Sequence, residues 1–311
     1  MLSGIFLLFG MELASRMEKI VALVTLYYPG ERCVENIGLI ASQAWLVVLA
    51  DNTPGTDNSD MFSEMQNVRY VANGRNLGLS VAFNRCLSMN ECRGSDFLVF
   101  FDQDSRIEDK QLETLVRDFR MLERTHKVGC LGPVFFEENS GKVCGTWDGS
   151  SNAEGGCLSV PATITSSLMM RYETLKDAGF WNEHLFLDYA DLELGWRLGH
   201  MGYENFVSEN VVMRHRQGTG SSLLFSPFSL RKLTVLHFEP IRYYYQVREC
   251  VKLVRSFEVD FIWKKYLLRE VFSRLVGVLL HGGRKVDSVR MWFCGLLDGV
   301  RGADREMRLI R

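Results

Sequence analysis

Between residues 20 and 102 the chain repeats one pattern, an apolar run closed by a polar group and followed by a stretch of helical spacing. The runs are 20–26, 45–50, 68–71 and 96–101, and the intervening helical spacings cover 32–42 and 77–89. Phe97-Leu98-Val99-Phe100-Phe101 is continuously apolar, which reads as a strand buried on both faces. Strands alternating with helices at this spacing imply an α/β fold with a parallel, doubly wound sheet. Right-handed crossovers then bring the carboxyl ends of the strands to one edge, together with Asp51, Asn76 and Asp102. Open α/β sheets bind ligands at that edge.

Several function classes are disfavoured. A net charge of −2 gives no electrostatic case for nucleic acid as a partner. The eight cysteines show no Cys-x-x-Cys spacing, which argues against zinc and against a disulfide framework. Free thiols in a reducing cytoplasm are the simpler account. No Gly-x-Gly-x-x-Gly follows the first strand and no Gly-Lys-Ser/Thr loop is present, so dinucleotide and P-loop readings are weak.

Residues 1–10 are apolar but far short of the ~20 a membrane span needs. We read 1–17 as an extension, 18–240 as the main domain and 241–311 as a helical region dense in Lys and Arg. That last region could serve as a lid, a homodimer face or a peripheral contact with the cytoplasmic face of an inner membrane. Further along, the pattern predicts a helix over 107–125, a strand over 129–135, a loop over 137–156 carrying Trp147, and a strand over 162–170. A short helix over 172–178, a helix from Asp191 to Gly202 and a strand over 207–214 follow. Helices over 240–257, 261–280 and about Val289–Leu297 complete the chain.

Two stretches carry chemistry. Asp102-Gln103-Asp104-Ser105 places two carboxylates at the end of a buried strand, where they repel unless a cation sits between them. Mg²⁺ or Mn²⁺ bridging phosphates suits such oxygen ligands, although the same residues could merely cap a helix near Ile107. Asp191 opens a helix, whose dipole and N–H groups would hold its carboxylate ionised; a structural cap would look the same. His215 follows a strand, as a solvated histidine or as a further ligand of a divalent ion.

Taken in order, these residues resemble the inverting nucleotide-sugar glycosyltransferases of family 2 with the GT-A fold, and within them the bacterial rhamnosyltransferases. The pieces are Tyr27-Tyr28-Pro29, Asp51-Asn52, Asn76-Leu77-Gly78, Asp102-Gln103-Asp104-Ser105 and Thr165-Ser166-Ser167. Leu187-Asp188-Tyr189-Ala190-Asp191-Leu192-Glu193, His215 and Arg242-Tyr243-Tyr244 complete the set. The resemblance implies a GT-A (Rossmann-like) domain with a mostly parallel central sheet and a C-terminal helical segment. It implies transfer of L-rhamnose from dTDP-β-L-rhamnose to a hydroxyl of a lipid-linked surface polysaccharide or O-antigen intermediate, with Mg²⁺ or Mn²⁺ as cofactor. By position, Tyr27, Asp51, Asn76 and Asp102 would hold the nucleotide, Asp104 and His215 the metal, and Asp191 would be the general base. Tyr28 stands where the family commonly has Asn, and Ala190 where many relatives carry a second acid, which makes Asp188 the other candidate base. A UDP- or GDP-sugar donor, or a non-catalytic glycan- or nucleotide-sugar-binding protein on the same fold, are the alternatives.

Overall fold

The structure is a computed structural model that describes residues 18–137, 142–144, 150–215, 220–225, 232–256, 258–281 and 284–303. The strands are β1 (Ile20–Leu26), β2 (Leu46–Asp51), β3 (Val68–Ala72), β4 (Phe97–Asp102), β5 (Val128–Glu137) and β6 (Lys142–Cys144). After them come β7 (Ser151–Asn152), β8 (Cys157–Val160), β9 (Leu168–Met170), β10 (Glu204–His215), β11 (Gly220–Phe225) and β12 (Lys232–His237). The helices are α1 (Glu31–Ala41), α2 (Leu79–Leu87), α3 (Asn90–Arg93), α4 (Gln111–Leu122) and α5 (Tyr172–Asp177). The remaining four are α6 (Ala190–His200), α7 (Pro240–Arg255), α8 (Phe261–His281) and α9 (Lys285–Arg301).

One sheet in the order β3-β2-β1-β4-β9-β5-β10-β8-β7 organises the chain, and β6 pairs with β5. It is parallel through β3-β2-β1-β4 and again between β5 and β10, but β9 runs antiparallel to both its neighbours. The sheet is therefore mixed, with its parallel half at the N-terminal end. The β11–β12 hairpin forms a separate antiparallel pair that the sequence pattern did not reveal.

Alternate residues of the central strands feed two apolar layers. Ala22, Val24, Phe97, Val99 and Phe101 face α1 and α4, packing with Ile37, Ile40, Leu115 and Phe119. Val21, Leu23, Leu98 and Phe100 face α2, α5 and α6. Burial on both sides explains why these strands read as unbroken apolar runs rather than alternating ones. Phe100 meets Phe83 at 4.9 Å and Trp181 at 5.0 Å, both edge-on, which fixes α2 and the segment before α6 beneath β4.

The helices after Pro240 share this second layer. Val247, Cys250 and Leu253 of α7 and Leu267 and Val271 of α8 are buried in the same cluster as the strands. Trp263 of α8 stacks on Trp196 of α6 at 4.9 Å. The cysteines whose side chains are described are all free.

The strand predicted over 162–170 forms only at Leu168–Met170. Thr163, Thr165, Ser166 and Ser167 before it are buried but irregular, and Ser167 has a φ of 69°. Helix α4 starts at Gln111 instead of 107, because Lys110 adopts a left-handed conformation and Ile107 is buried in the preceding turn. Trp147 lies outside the described residues.

Candidate functional site

The carboxyl ends of β1, β2 and β4 form a polar rim. Asp51 is 1% exposed, and its Oδ1 accepts the Thr53 N–H at 2.7 Å. Its Oδ2 accepts the Tyr70 hydroxyl at 2.6 Å and Asn58 Nδ2 at 2.8 Å. These donors hold its carboxyl below the ordinary aspartate value despite burial. Asp51 thereby fixes the turn over 52–58. Tyr27 is half-buried beside it, with its backbone clamped by Gln103: its N–H donates to Oε1 at 2.8 Å and its carbonyl accepts Nε2 at 3.1 Å. The first strand end is thus tied to the residue between Asp102, which ends β4, and Asp104.

Asn52 joins three loops. Its Oδ1 accepts Asn73 Nδ2 at 2.9 Å, and its Nδ2 donates to the Gly78 carbonyl at 3.0 Å. Asn76 closes a turn by accepting the Gly78 N–H at 3.0 Å. Gly78 has a φ of +78°, and a Cβ there would lie 2.4 Å from the Phe186 carbonyl oxygen. Only glycine permits both the conformation and the approach. The next residue, Leu79, donates its N–H to that same carbonyl at 2.7 Å.

Asp102 ends β4, and its Oδ2 accepts the Ser166 hydroxyl at 2.7 Å. Ser105 donates to Ser166 at 3.1 Å, so the irregular stretch before β9 buttresses the acidic turn. Asp104 is exposed and makes no hydrogen bond to another described residue. His215 ends β10, but its side chain falls outside what is described, and with it the predicted metal contact.

Asp191 sits in the first turn of α6, half-buried. Its Oδ2 accepts the Thr165 N–H at 3.1 Å and its Oδ1 the Leu192 N–H at 2.9 Å. Sequence alone suggests that a helix start would keep this carboxylate firmly ionised. The structure reverses the balance: burial raises its pKa to about 6, against those N–H donors, and the charges of Asp102 and Asp188 add to the rise. A carboxyl tuned this way can take a proton near neutral pH. Asp188, in contrast, is engaged: its Oδ1 accepts Arg242 at 3.1 Å and Gln246 Nε2 at 3.4 Å.

Sequence reasoning missed Glu249. It lies on α7 with no exposure, and its carboxylate accepts the N–H groups of Phe186 at 2.9 Å and Asp188 at 2.8 Å. Arg248 pairs with it at 3.2 Å. Burial and Asp188 push the Glu249 carboxyl up to about 8, against the pull of Arg248 and the N–H donors.

Known proteins resemble this chain in sequence and in fold. Residues 31–152 match the family described as glycosyl transferase family 2. Over that stretch the chain is similar to glycosyltransferase family 2. The transferase is 26% identical to the dTDP-rhamnosyl transferase RfbF of Shigella flexneri, over 85% of its own length and 88% of that protein. It is 24% identical to the N-acetylglucosaminyl-diphospho-decaprenol L-rhamnosyltransferase of Mycobacterium tuberculosis, over 61% of its length and 74% of the relative. Among solved structures, the mannosyltransferase PcManGT of Pyrobaculum calidifontis, in complex with GDP-Man and Mn²⁺, superposes with a TM-score of 0.54 at 12% identity. That superposition covers 93% of this chain and 89% of PcManGT. GalNAc-T7 with UDP, GalNAc and Mn²⁺ gives a TM-score of 0.53 at 12% identity over 83% of the transferase. This chain spans about half of that protein, 55% of its length. Both are GT-A glycosyltransferases, and the likeness establishes that fold.

The residues at the rim fit a divalent ion. Among the described residues no three His, Cys, Asp or Glu side chains gather into a ligand set. Mg²⁺ and Mn²⁺ beside a diphosphate need no such cage, since one or two carboxylates plus phosphate oxygens and water suffice. The exposed Asp104, two residues from Asp102, offers that chemistry.

Proposed function

We propose that this enzyme transfers L-rhamnose, with inversion, from dTDP-β-L-rhamnose to a hydroxyl of a lipid-linked surface-glycan intermediate. The observation that carries the mechanism is Asp191, a carboxyl at the sheet edge raised to about 6 and backed by Thr165 and Leu192. Inverting displacement needs one such base within reach of the acceptor oxygen, on the face opposite the leaving group. The engagement of Asp188 by Arg242 supports Asp191 over Asp188 for that role. The donor assignment is supported by similarity to a relative named as a dTDP-rhamnosyl transferase, and the lipid-linked acceptor by one named for a decaprenol-linked substrate. The free thiols fit a cytoplasmic setting.

Tyr27, Asn76 and the turn fixed by Asp51 hold the nucleotide in this reading, with Asp102 near the ribose or the metal. Asp104 and His215 would hold Mg²⁺ or Mn²⁺, which would supply Lewis-acid stabilisation of the charge growing on the diphosphate leaving group. Asp191 accepts the proton of the acceptor hydroxyl as the new bond forms at the sugar.

Turnover of dTDP-rhamnose, UDP-glucose and GDP-mannose, each with Mn²⁺ and with EDTA, tests this. The expected result is turnover of dTDP-rhamnose alone, falling at least about tenfold in EDTA and returning when Mn²⁺ is restored. Preference for a UDP- or GDP-sugar would overturn the rhamnosyl assignment, and EDTA-insensitive turnover would overturn the role of Asp104. The pH profile is a second check. A base must be deprotonated to act, so kcat/KM should rise with unit slope up to about pH 6 and level off above it. A profile flat down to pH 4 would contradict that assignment.

A further inference from the structure

Helix α8 is apolar on both sides. Its inner side buries Leu267, Val271 and Val278, and Arg274 pairs with Glu270 one turn before it. Its outer side carries Phe261, Leu268, Phe272 and Leu279, exposed by 79, 52, 64 and 53%. At about 100° per residue these four fall within roughly 40° of one another, in a single stripe. Lys265 and Arg269, both exposed, lie on the same side of the helix. Helix α9 packs beside it, Trp292 Nε1 donating to the Val271 carbonyl at 3.4 Å, and repeats the device. Its Val286, Phe293 and Leu297 are exposed by 82, 51 and 51%, and Arg290 is exposed at the same periodicity. A helix apolar all round is normally enclosed by protein or lipid.

The charges indicate which. Residues 261–303 hold eight Lys and Arg against three acids. Of the acids, Glu270 is held by Arg274, Asp287 pairs with Arg284 at 3.0 Å, and Asp298 is buried against the Tyr244 hydroxyl. The outer stripes thus present bases and apolar groups with no unpaired acid among the described residues. A second copy related by a two-fold axis would set Lys265 and Arg269 against like charges. An anionic lipid surface complements both features, taking the apolar groups at the acyl boundary and the bases at the headgroups. No helix among the described residues is long and apolar enough to cross a membrane.

We propose that the outer faces of α8 and α9 dock this enzyme on an anionic bilayer. Leu267 and Val271 on the inner face of α8 share an apolar cluster with Tyr189, two residues from Asp191, so docking would set the bilayer on the opposite side of α8 from that cluster. The purpose of such docking rests on the lipid-linked acceptor proposed above, but its test does not.

The test is co-sedimentation of the full chain with phosphatidylcholine vesicles, with and without phosphatidylglycerol, at low and high salt. Light scattering of the free protein runs alongside, and turnover of the soluble donor is read separately. Wild type should bind the anionic vesicles and be released by salt. Phe261→Ser with Leu268→Ser and Phe272→Ser should weaken that binding by roughly 100-fold. Lys265→Glu with Arg269→Glu should weaken it at least about tenfold, on anionic vesicles only. Both variants, altered only on the exposed face, should keep donor turnover and melting temperature. Failure of wild type to bind, or variants that bind like wild type, would overturn the docking while leaving the transferase reading intact. A dimer in light scattering that dissociates in the serine variant would assign the face to a second copy instead, and would also overturn it. Vesicle binding without rhamnose turnover would keep the docking and sink the donor assignment.

Discussion

Asp191→Asn should lower kcat for transfer by about 10²–10⁴-fold while the fold remains intact. The amide matches the carboxylate in shape but cannot take the acceptor proton. Structural effects should be small because two terms oppose. The site disfavours charge, through burial and through Asp102 and Asp188, so a neutral side chain relieves strain at neutral pH. The linkage sign agrees: a carboxyl raised to about 6 contributes stability fully below its unfolded value, and that contribution is lost as pH rises through about 6. Against this, the amide has one acceptor oxygen for two N–H donors, Thr165 and Leu192, and leaving one unmet costs about 1–3 kcal/mol. The check is turnover with the melting temperature and the affinity for the donor nucleotide. Loss of turnover with both retained identifies the base. Activity near wild type would move the role to Asp188, and a lost melting transition would show that Asp191 is structural.

The parallel half of the fold is legible in the sequence because its strands are buried on both faces. Continuous runs such as Phe97–Phe101 can then be little else, and the polar residue that ends each run marks the rim. What is less legible follows from physics that period does not record. Ala162 to Ser167 reads as strand because Thr and Ser alternate with apolar residues, yet these positions are used as hydrogen-bonding partners of distant side chains. Thr165 supplies Asp191, Ser166 supplies Asp102, and Ser167 accepts from Gln111 at 2.9 Å. The state of Asp191 is not legible either: the helix start is visible in the sequence, but the burial that outweighs it comes from distant elements. Glu249 is the extreme case. Nothing in the pattern of α7 distinguishes it from a solvated helix-face glutamate, because its meaning lies in a loop 63 residues upstream.

Glu249→Ala should destabilise the enzyme by about 3–5 kcal/mol, because truncation leaves the buried Phe186 and Asp188 N–H groups without this acceptor and removes one of the partners of the buried Arg248 guanidinium. At roughly 2–4 °C per kcal/mol for a large domain, the melting temperature should fall by about 10 °C. The functional loss should exceed the stability loss. Phe186 is held from two sides, by Glu249 at its N–H and by Leu79 at its carbonyl, and its ring stacks on Tyr245 at 4.4 Å. The segment from Phe186 to Asp188 leads directly into the turn that presents Asp191. Released from α7, that turn would misplace the base, and a displacement of about 1 Å can cost roughly 10²-fold. Since Asp51 and Tyr27 lie on other loops, donor affinity should change far less than kcat. Glu249→Gln keeps one acceptor oxygen and should fall between wild type and alanine in both melting temperature and kcat. Assays well below each variant's melting temperature separate the two effects. Equal kcat for all three folded proteins would show that Glu249 supports only stability. A graded kcat at near-constant donor affinity would make it a positioning residue, through which the C-terminal helices set the geometry of the base.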